Sequence, residues 1–263
     1  MRRFLIPITL AGAIAVGTSA SVRGQSPDER AAARDLIKKR GDAVVMVLAT
    51  IKIRVNIEGR DQSQEQAAQT NATVIDSSGL AVLSLSTLEP DDVMSRQLTQ
   101  RFGGNAHVDV TSEPTDIRMH LADGRELPAK LVLKDTDLDL AFVRPTEPLT
   151  GPMTFVDAPS GKASLLDLVF VVQRTSEATG WTTGASFGSV QLVIDKPRTY
   201  YLLAMSGGAA GFGSPLFDTS GKFVGITVMR NPGIRGAAPL SGVLPAEDIR
   251  EVAKQAPGLN KHN

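Results

Sequence analysis

Ala209-Ala210-Gly211-Phe212-Gly213-Ser214-Pro215-Leu216-Phe217-Asp218, followed by Gly221-Lys222-Phe223-Val224-Gly225-Ile226, carries the strongest structural signal in this chain. A glycine-broken loop runs into an apolar segment. Asp218 and Gly221 then supply residues that tolerate a reversal before a second apolar run, which reads as a β-hairpin. Two other segments read the same way: Val74-Ile75-Asp76-Ser77-Ser78-Gly79-Leu80-Ala81-Val82, and Leu121-Ala122-Asp123-Gly124-Arg125-Glu126-Leu127. Short strands separated by such turns indicate a sandwich or barrel rather than an alternating α/β fold.

Helices are expected at the two ends, and Glu89-Pro90-Asp91-Asp92 reads as a solvated face or a helix start. Ser26-Pro27-Asp28-Glu29 has a capping serine, a proline in the first turn and acids at the positive end of the dipole, so a helix runs from here to Arg40 and stops at Gly41. From Ala43 to Ile57 the pattern turns to β, with Ile51, Ile53, Val55 and Ile57 alternating against Lys52, Arg54 and Asn56. The polar stretch from Glu58 to Gln69 reads as a loop. Pro245 to Lys254 reads as a short amphipathic helix closed by Pro257-Gly258. The expected organisation is a signal peptide over 1–20, an extension and helix start over 21–34, one folded domain over 35–256 and a tail over 257–263.

The chain has 263 residues, 28 basic and 28 acidic, which gives no electrostatic case for nucleic acid as a partner. Arg2 and Arg3 precede an apolar run from Phe4 to Val16 and the small residues Gly17-Thr18-Ser19-Ala20, the arrangement of a secretory signal. Phe4-Leu5 follows the arginine pair one residue too early for a twin-arginine signal, so general secretion is expected. The run is too short for a membrane span, which needs about 20 apolar residues. With no cysteine, disulfides, thiolate metal sites and cysteine catalysis are excluded. The expectation is an exported, periplasmic or extracellular protein with no stable membrane span after signal cleavage.

The order of motifs resembles the trypsin-like serine proteases, in their HtrA-type branch. The family's nucleophile loop, Gly-Asn/Asp-Ser-Gly-Gly-Pro-Leu, is similar to the loop before Pro215-Leu216. Its histidine strand is similar to Thr73 through Ser86, its Asp-Gly-Arg turn and Asp-Leu-Ala strand to Leu121 through Val143, and its Ser-x-Gly strand to Ser186-Phe187-Gly188-Ser189-Val190. The resemblance covers about Asp35 to Lys254. It implies an all-β fold of two six-stranded barrels with short N- and C-terminal helices.

It also implies where a catalytic triad would lie, with the histidine on Ser86, the aspartate on Asp139 and the serine on Phe212. The chemistry needs an imidazole to take the hydroxyl proton and a nucleophile to attack. Serine and phenylalanine supply neither, and Ala210 and Ser214 stand where the loop has glycines. Asp139 is then expected to accept hydrogen bonds, Ser86 among the donors. Ser214 is the alternative nucleophile, with His107 or His120 as its base. The plainer readings are that Ser214 fills a glycine site, that His120 points outward from a strand beside Arg118 and is solvated, that His107 decorates a loop within a long Leu88–Asp116 segment, and that His262 belongs to the tail. Neither Glu89-Pro90-Asp91-Asp92 nor Asp135-Thr136-Asp137-Leu138-Asp139 has the calcium-loop pattern, and Gly207-Gly208 to Gly213 has no lysine for phosphate. No metal and no cofactor are expected.

The functional expectation is an exported pseudoprotease that binds a peptide or protein. The alternative is an active serine endopeptidase using the displaced residues. Members of the family trimerise through aromatic residues near the mature N-terminus, and Ser21 to Arg40 has none, so that trimer is not expected. Nor does the sequence show a peptide-binding PDZ domain after the closing helix, so any partner is expected to bind this one domain.

Overall fold

The structure is a computed structural model that describes residues 26–102, 107–205, 210–230 and 239–257. The expected signal peptide, Gly207-Gly208 and His262 lie outside the described residues.

Two closed antiparallel barrels of six strands each make up the fold. The first contains β1 (Val44–Ile57), β2 (Arg60–Val74), β3 (Ala81–Ser84), β4 (Val108–His120), β5 (Glu126–Asp135) and β6 (Leu140–Pro145). The second contains β7 (Leu168–Arg174), β8 (Thr183–Ile194), β9 (Tyr200–Met205), β10 (Pro215–Asp218), β11 (Phe223–Arg230) and β12 (Leu240–Pro245). Three helices join them: α1 (Pro27–Arg40), α2 (Asp91–Arg101) and α3 (Ala246–Ala253). Ser26 and Glu29 form the capping box at the start of α1.

Strand periodicity explains how the barrels pack. Successive side chains point to opposite faces, so β6 sends Ala141 and Val143 into the first barrel and Leu140 and Phe142 between the barrels. Every residue of β6 is buried for this reason. The inter-barrel core continues through Phe170, Phe217, Phe223 and Leu244 to Leu36 of α1 and Ile249 of α3. Phe217 meets Phe170 at 6.1 Å and Phe223 at 5.9 Å between ring centroids.

Two expectations are corrected here. The polar stretch Glu58 to Gln69 is not a loop: only Glu58 and Gly59, both at positive φ, form the turn, and β2 begins at Arg60. Both faces of β2 are exposed from Arg60 to Ala67, so the strand has no apolar alternation to reveal it. The stretch around His107 is not all loop either, because β4 starts at Val108, while the helix start read at Glu89-Pro90-Asp91-Asp92 is present as α2. Pro114 within β4 hides the strand signal.

A buried cation fastens the barrels. Arg174 of β7 is only 4% exposed and donates to the carbonyls of Val44 (2.7 Å) and Gly41 (3.3 Å) in the first barrel's entry segment, and of Trp181 (2.9 Å). Its own N–H donates to Asn71 Oδ1 of β2 at 2.6 Å. Desolvation lowers the guanidinium pKa, with Asp42 acting in the opposite sense. Arg174→Met would leave those carbonyls without a donor and is expected to cost about 3 kcal/mol. Urea unfolding followed by the fluorescence of Trp181, the sequence's single tryptophan, measures this; an unchanged midpoint would refute the fastening role.

Candidate functional site

The seam between the barrels holds the loop Ala210 to Ser214. β10 begins at Pro215 and pairs with β11 only as far as Ile226, so the edge of β11 beyond that point is open to other partners. Gly213 N–H donates to the Thr227 carbonyl at 2.7 Å, and Thr227 N–H donates to the Ser214 carbonyl at 3.0 Å. The Thr227 hydroxyl donates to the Gly211 carbonyl and accepts from Ser214 N–H at 3.1 Å. From the first barrel, Thr73 Oγ1 donates to the Gly213 carbonyl at 2.8 Å and Thr70 Oγ1 to the Phe212 carbonyl at 3.4 Å. Gly211 N–H donates to Gln173 Oε1 at 3.2 Å. Three threonines thus hold a loop that has no secondary structure of its own.

Glycine is required at one point of this loop. Gly213 has φ +79°, and a Cβ there would lie 1.9 Å from the Asn71 carbonyl oxygen. Ser214, in contrast, fits easily: it is fully buried, and its hydroxyl has no hydrogen-bond partner among the described residues.

Two residues further along β11, the same open edge meets a carboxylate. Met229 N–H donates to Asp139 Oδ2 at 2.7 Å. Asp139 also accepts from the Ser84 hydroxyl, from Ser86 N–H at 2.7 Å and from the Ser86 hydroxyl at 2.5 Å. The turn from Asp135 to Asp139 presents it: Asp135 Oδ1 accepts from the N–H groups of Asp137 and Leu138, and Asp139 itself sits at φ +56°. Burial raises its pKa, and the four hydrogen bonds work against that rise. Over this contact lies α2, whose Asp92, Val93 and Arg96 enclose a cavity of about 60 Å³ with Ser86, Asp139 and Met229. The Leu88–Asp116 segment therefore does cover this part of the cleft.

The sequence-derived candidates are placed as follows. Ser86 and Asp139 are brought together, and Phe212 is half-buried on the adjacent loop. Neither histidine is brought to Ser214. His107 pairs with Asp109 at 3.0 Å and lies beside Glu58 at the far tip of the β1–β2 hairpin. Thirteen residues of β2 separate that tip from Thr73, about 40 Å of strand. The expected solvation of His120 is corrected: it is 7% exposed and stacked on Trp181 with ring centroids 4.3 Å apart. It does leave the first barrel's interior, but it meets the second barrel there instead of water. Thr70, Asn71, Thr73, Gln173 and Thr227 were not legible as site residues; the only signal was a run of polar residues where β2 becomes buried.

On the second-barrel side of the loop, Leu203, Met205, Ala210, Thr227, Ser241, Gly242 and Val243 line a cavity of about 280 Å³. Its walls are mostly apolar, with two hydroxyls at the rim, and it has room for one side chain of a bound chain. No group of His, Asp and Glu among the described residues has a metal-binding arrangement.

Two six-stranded barrels that clasp a glycine loop and a buried aspartate at their seam define a double-barrel peptidase architecture. The family model described as the trypsin-like peptidase domain matches residues 70–226, and the chain belongs to that family. Among solved structures, it is similar to a variant of the HtrA-type protease AlgW determined with a decapeptide, at 14% identity and a TM-score of 0.55. That match covers 84% of this chain and 65% of the other, so this chain spans under two thirds of that protein. A comparison with curated proteins gives no match.

Two measurements test the seam. Gly213→Ala is expected to destabilise by about 3 kcal/mol, because positive φ and the clash with Asn71 act together; an unchanged urea midpoint would contradict it. Asp139 titrates in the opposite sense to a salt-bridged acid. Its raised pKa means that the folded state binds more protons than the unfolded state between the two pKa values. Its contribution to stability therefore falls as pH rises through that window, which opens near pH 4. The unfolding free energy of wild type minus that of Asp139→Asn should decrease over the same range; a flat or rising difference would show that the hydrogen bonds outweigh burial.

Proposed function

We propose that this chain is a catalytically inactive member of the trypsin-like peptidase family, exported from the cell, whose cleft binds a peptide or protein. One observation supports the reading: the hydroxyl of Ser86, the residue that the motif order aligns with the family's histidine, donates to Asp139 at 2.5 Å. Serine has no basic nitrogen, so the carboxylate has no base to orient. The position matching the nucleophile is Phe212, whose ring carries no attacking atom. The triad-equivalent positions are thus Ser86, Asp139 and Phe212, with the carboxylate kept as a structural acceptor.

The peptide-binding part of the proposal rests on the 280 Å³ cavity beside Ala210 and Thr227. Its Leu203, Met205 and Val243 walls suit an apolar side chain of an extended ligand. The structural neighbour's decapeptide is in keeping with a peptide ligand. Export rests on the charged start, short apolar run and small residues of 1–20. No described helix is long and apolar enough to cross a membrane.

The test is labelling of the purified protein by a fluorophosphonate probe, beside an active trypsin-like control and Ser214→Ala. No labelling of a folded sample is expected. Labelling that disappears in Ser214→Ala would establish a working serine hydrolase and end the pseudoprotease reading.

A further inference from the structure

The long β1–β2–β4 sheet leaves the first barrel with two edges, and the fold treats them differently. On one side, β4 pairs with β5 only at Arg118 to His120. Beyond that it has Pro114, which lacks a donor, and α2 packs on it with Ser95 Oγ donating to the Val108 carbonyl at 3.1 Å. These are the usual protections of an exposed strand edge. On the other side, β2 pairs with β3 only at Thr73 and Val74. From Arg60 to Ala67 every residue is exposed, and the run from Asp61 to Gln69 contains no proline, glycine or lysine. Among the described residues that edge has regular backbone donors and acceptors with no proline or bulge, and Asp61 and Glu65 are the only charges from Asp61 to Gln69.

The side chains along it are self-complementary. Gln62-Ser63-Gln64-Glu65-Gln66 repeats glutamine at every second position, so the three amides share one face of the strand. Residues directly opposite in an antiparallel pair share a face, so a two-fold axis perpendicular to the sheet must pass through a residue. Centred on Gln64, it sets Gln64 against its own copy and Gln62 against the second copy's Gln66. Each primary amide can donate to and accept from the one opposite. On the reverse face Ser63 meets the second copy's Glu65, a hydroxyl against a carboxylate. Charge disfavours the neighbouring registers. An axis through Glu65 opposes two carboxylates, and one through Ser63 opposes Asp61 to Glu65.

We propose that β2 is a homodimerisation edge: two copies join antiparallel through Arg60 to Ala68, with the axis at Gln64, into one continuous six-stranded sheet. The occupant is a second copy because the pattern complements itself. The contact uses neither the cleft nor the mature N-terminus, so it stands or falls separately from the pseudoprotease reading.

The absence of cysteine makes the register directly measurable. Gln64→Cys, in the otherwise unchanged full chain, places its thiol beside its own copy. Ala67→Cys places the two thiols six residues apart along the ladder, about 20 Å. With a short bismaleimide, about tenfold more covalent dimer is expected from Gln64→Cys than from Ala67→Cys. Equal yields, or none from Gln64→Cys, would overturn the proposal. Sedimentation of wild type should give twice the chain mass. Gln64→Lys, which opposes two like charges at the axis, should give a single chain with an unchanged circular dichroism spectrum. A wild-type monomer at high concentration would overturn the proposal, leaving the edge to a foreign extended segment. So would a dimer that persists in Gln64→Lys.

Discussion

The open edge of β11 beyond Ile226 is the constraint on which the rest of the site depends. β10 is only four residues long, so it cannot pair with β11 past that point. Buried N–H and carbonyl groups left there would each need another partner. The fold supplies two non-strand substitutes in succession, the Gly211–Ser214 loop at Thr227 and the Asp139 carboxylate at Met229. One comes from the second barrel and the other from the first. The seam is therefore completed only when both barrels are folded and docked.

This arrangement gives the Asp139 carboxylate a structural task at the seam. It accepts four hydrogen bonds, two from Ser86, one from Ser84 and one from Met229. The donors compensate for burying a charge without a counterion. An aspartate with such a task is structural whether or not it serves catalysis. The same economy appears at Arg174, a buried cation neutralised by carbonyl dipoles instead of a carboxylate. Each barrel thus contributes one buried charge with at least one hydrogen bond across the interface: Asp139 from Met229, and Arg174 to Gly41 and Val44.

The loop is shaped by packing and by threonine hydroxyls from both barrels. Thr70, Thr73 and Thr227 bind three consecutive carbonyls of the loop, at Gly211, Phe212 and Gly213. Ser214 contributes volume rather than a hydrogen-bonded hydroxyl among the described residues. The cavity lined by Ala210 and Thr227 is bounded by this loop, so the threonine contacts also fix one of its walls.

The sequence by itself made legible the all-β class, the capped α1 and the three Asp/Gly hairpins, and its motif order offered Ser86 as a donor to Asp139. These follow from local turn chemistry and from motif order, which are written along the chain. It misread β2, because a strand exposed on both faces has no alternation of polarity. It also misread His120, because an outward direction from one barrel says nothing of a second barrel packed there. Only the tertiary structure decided that Trp181 covers that ring, that threonines of β2 and β11 hold the loop, and that α2 roofs Asp139. Each of these joins residues 16 or more positions apart in the chain, within a barrel or across the interface, and no local pattern encodes such contacts.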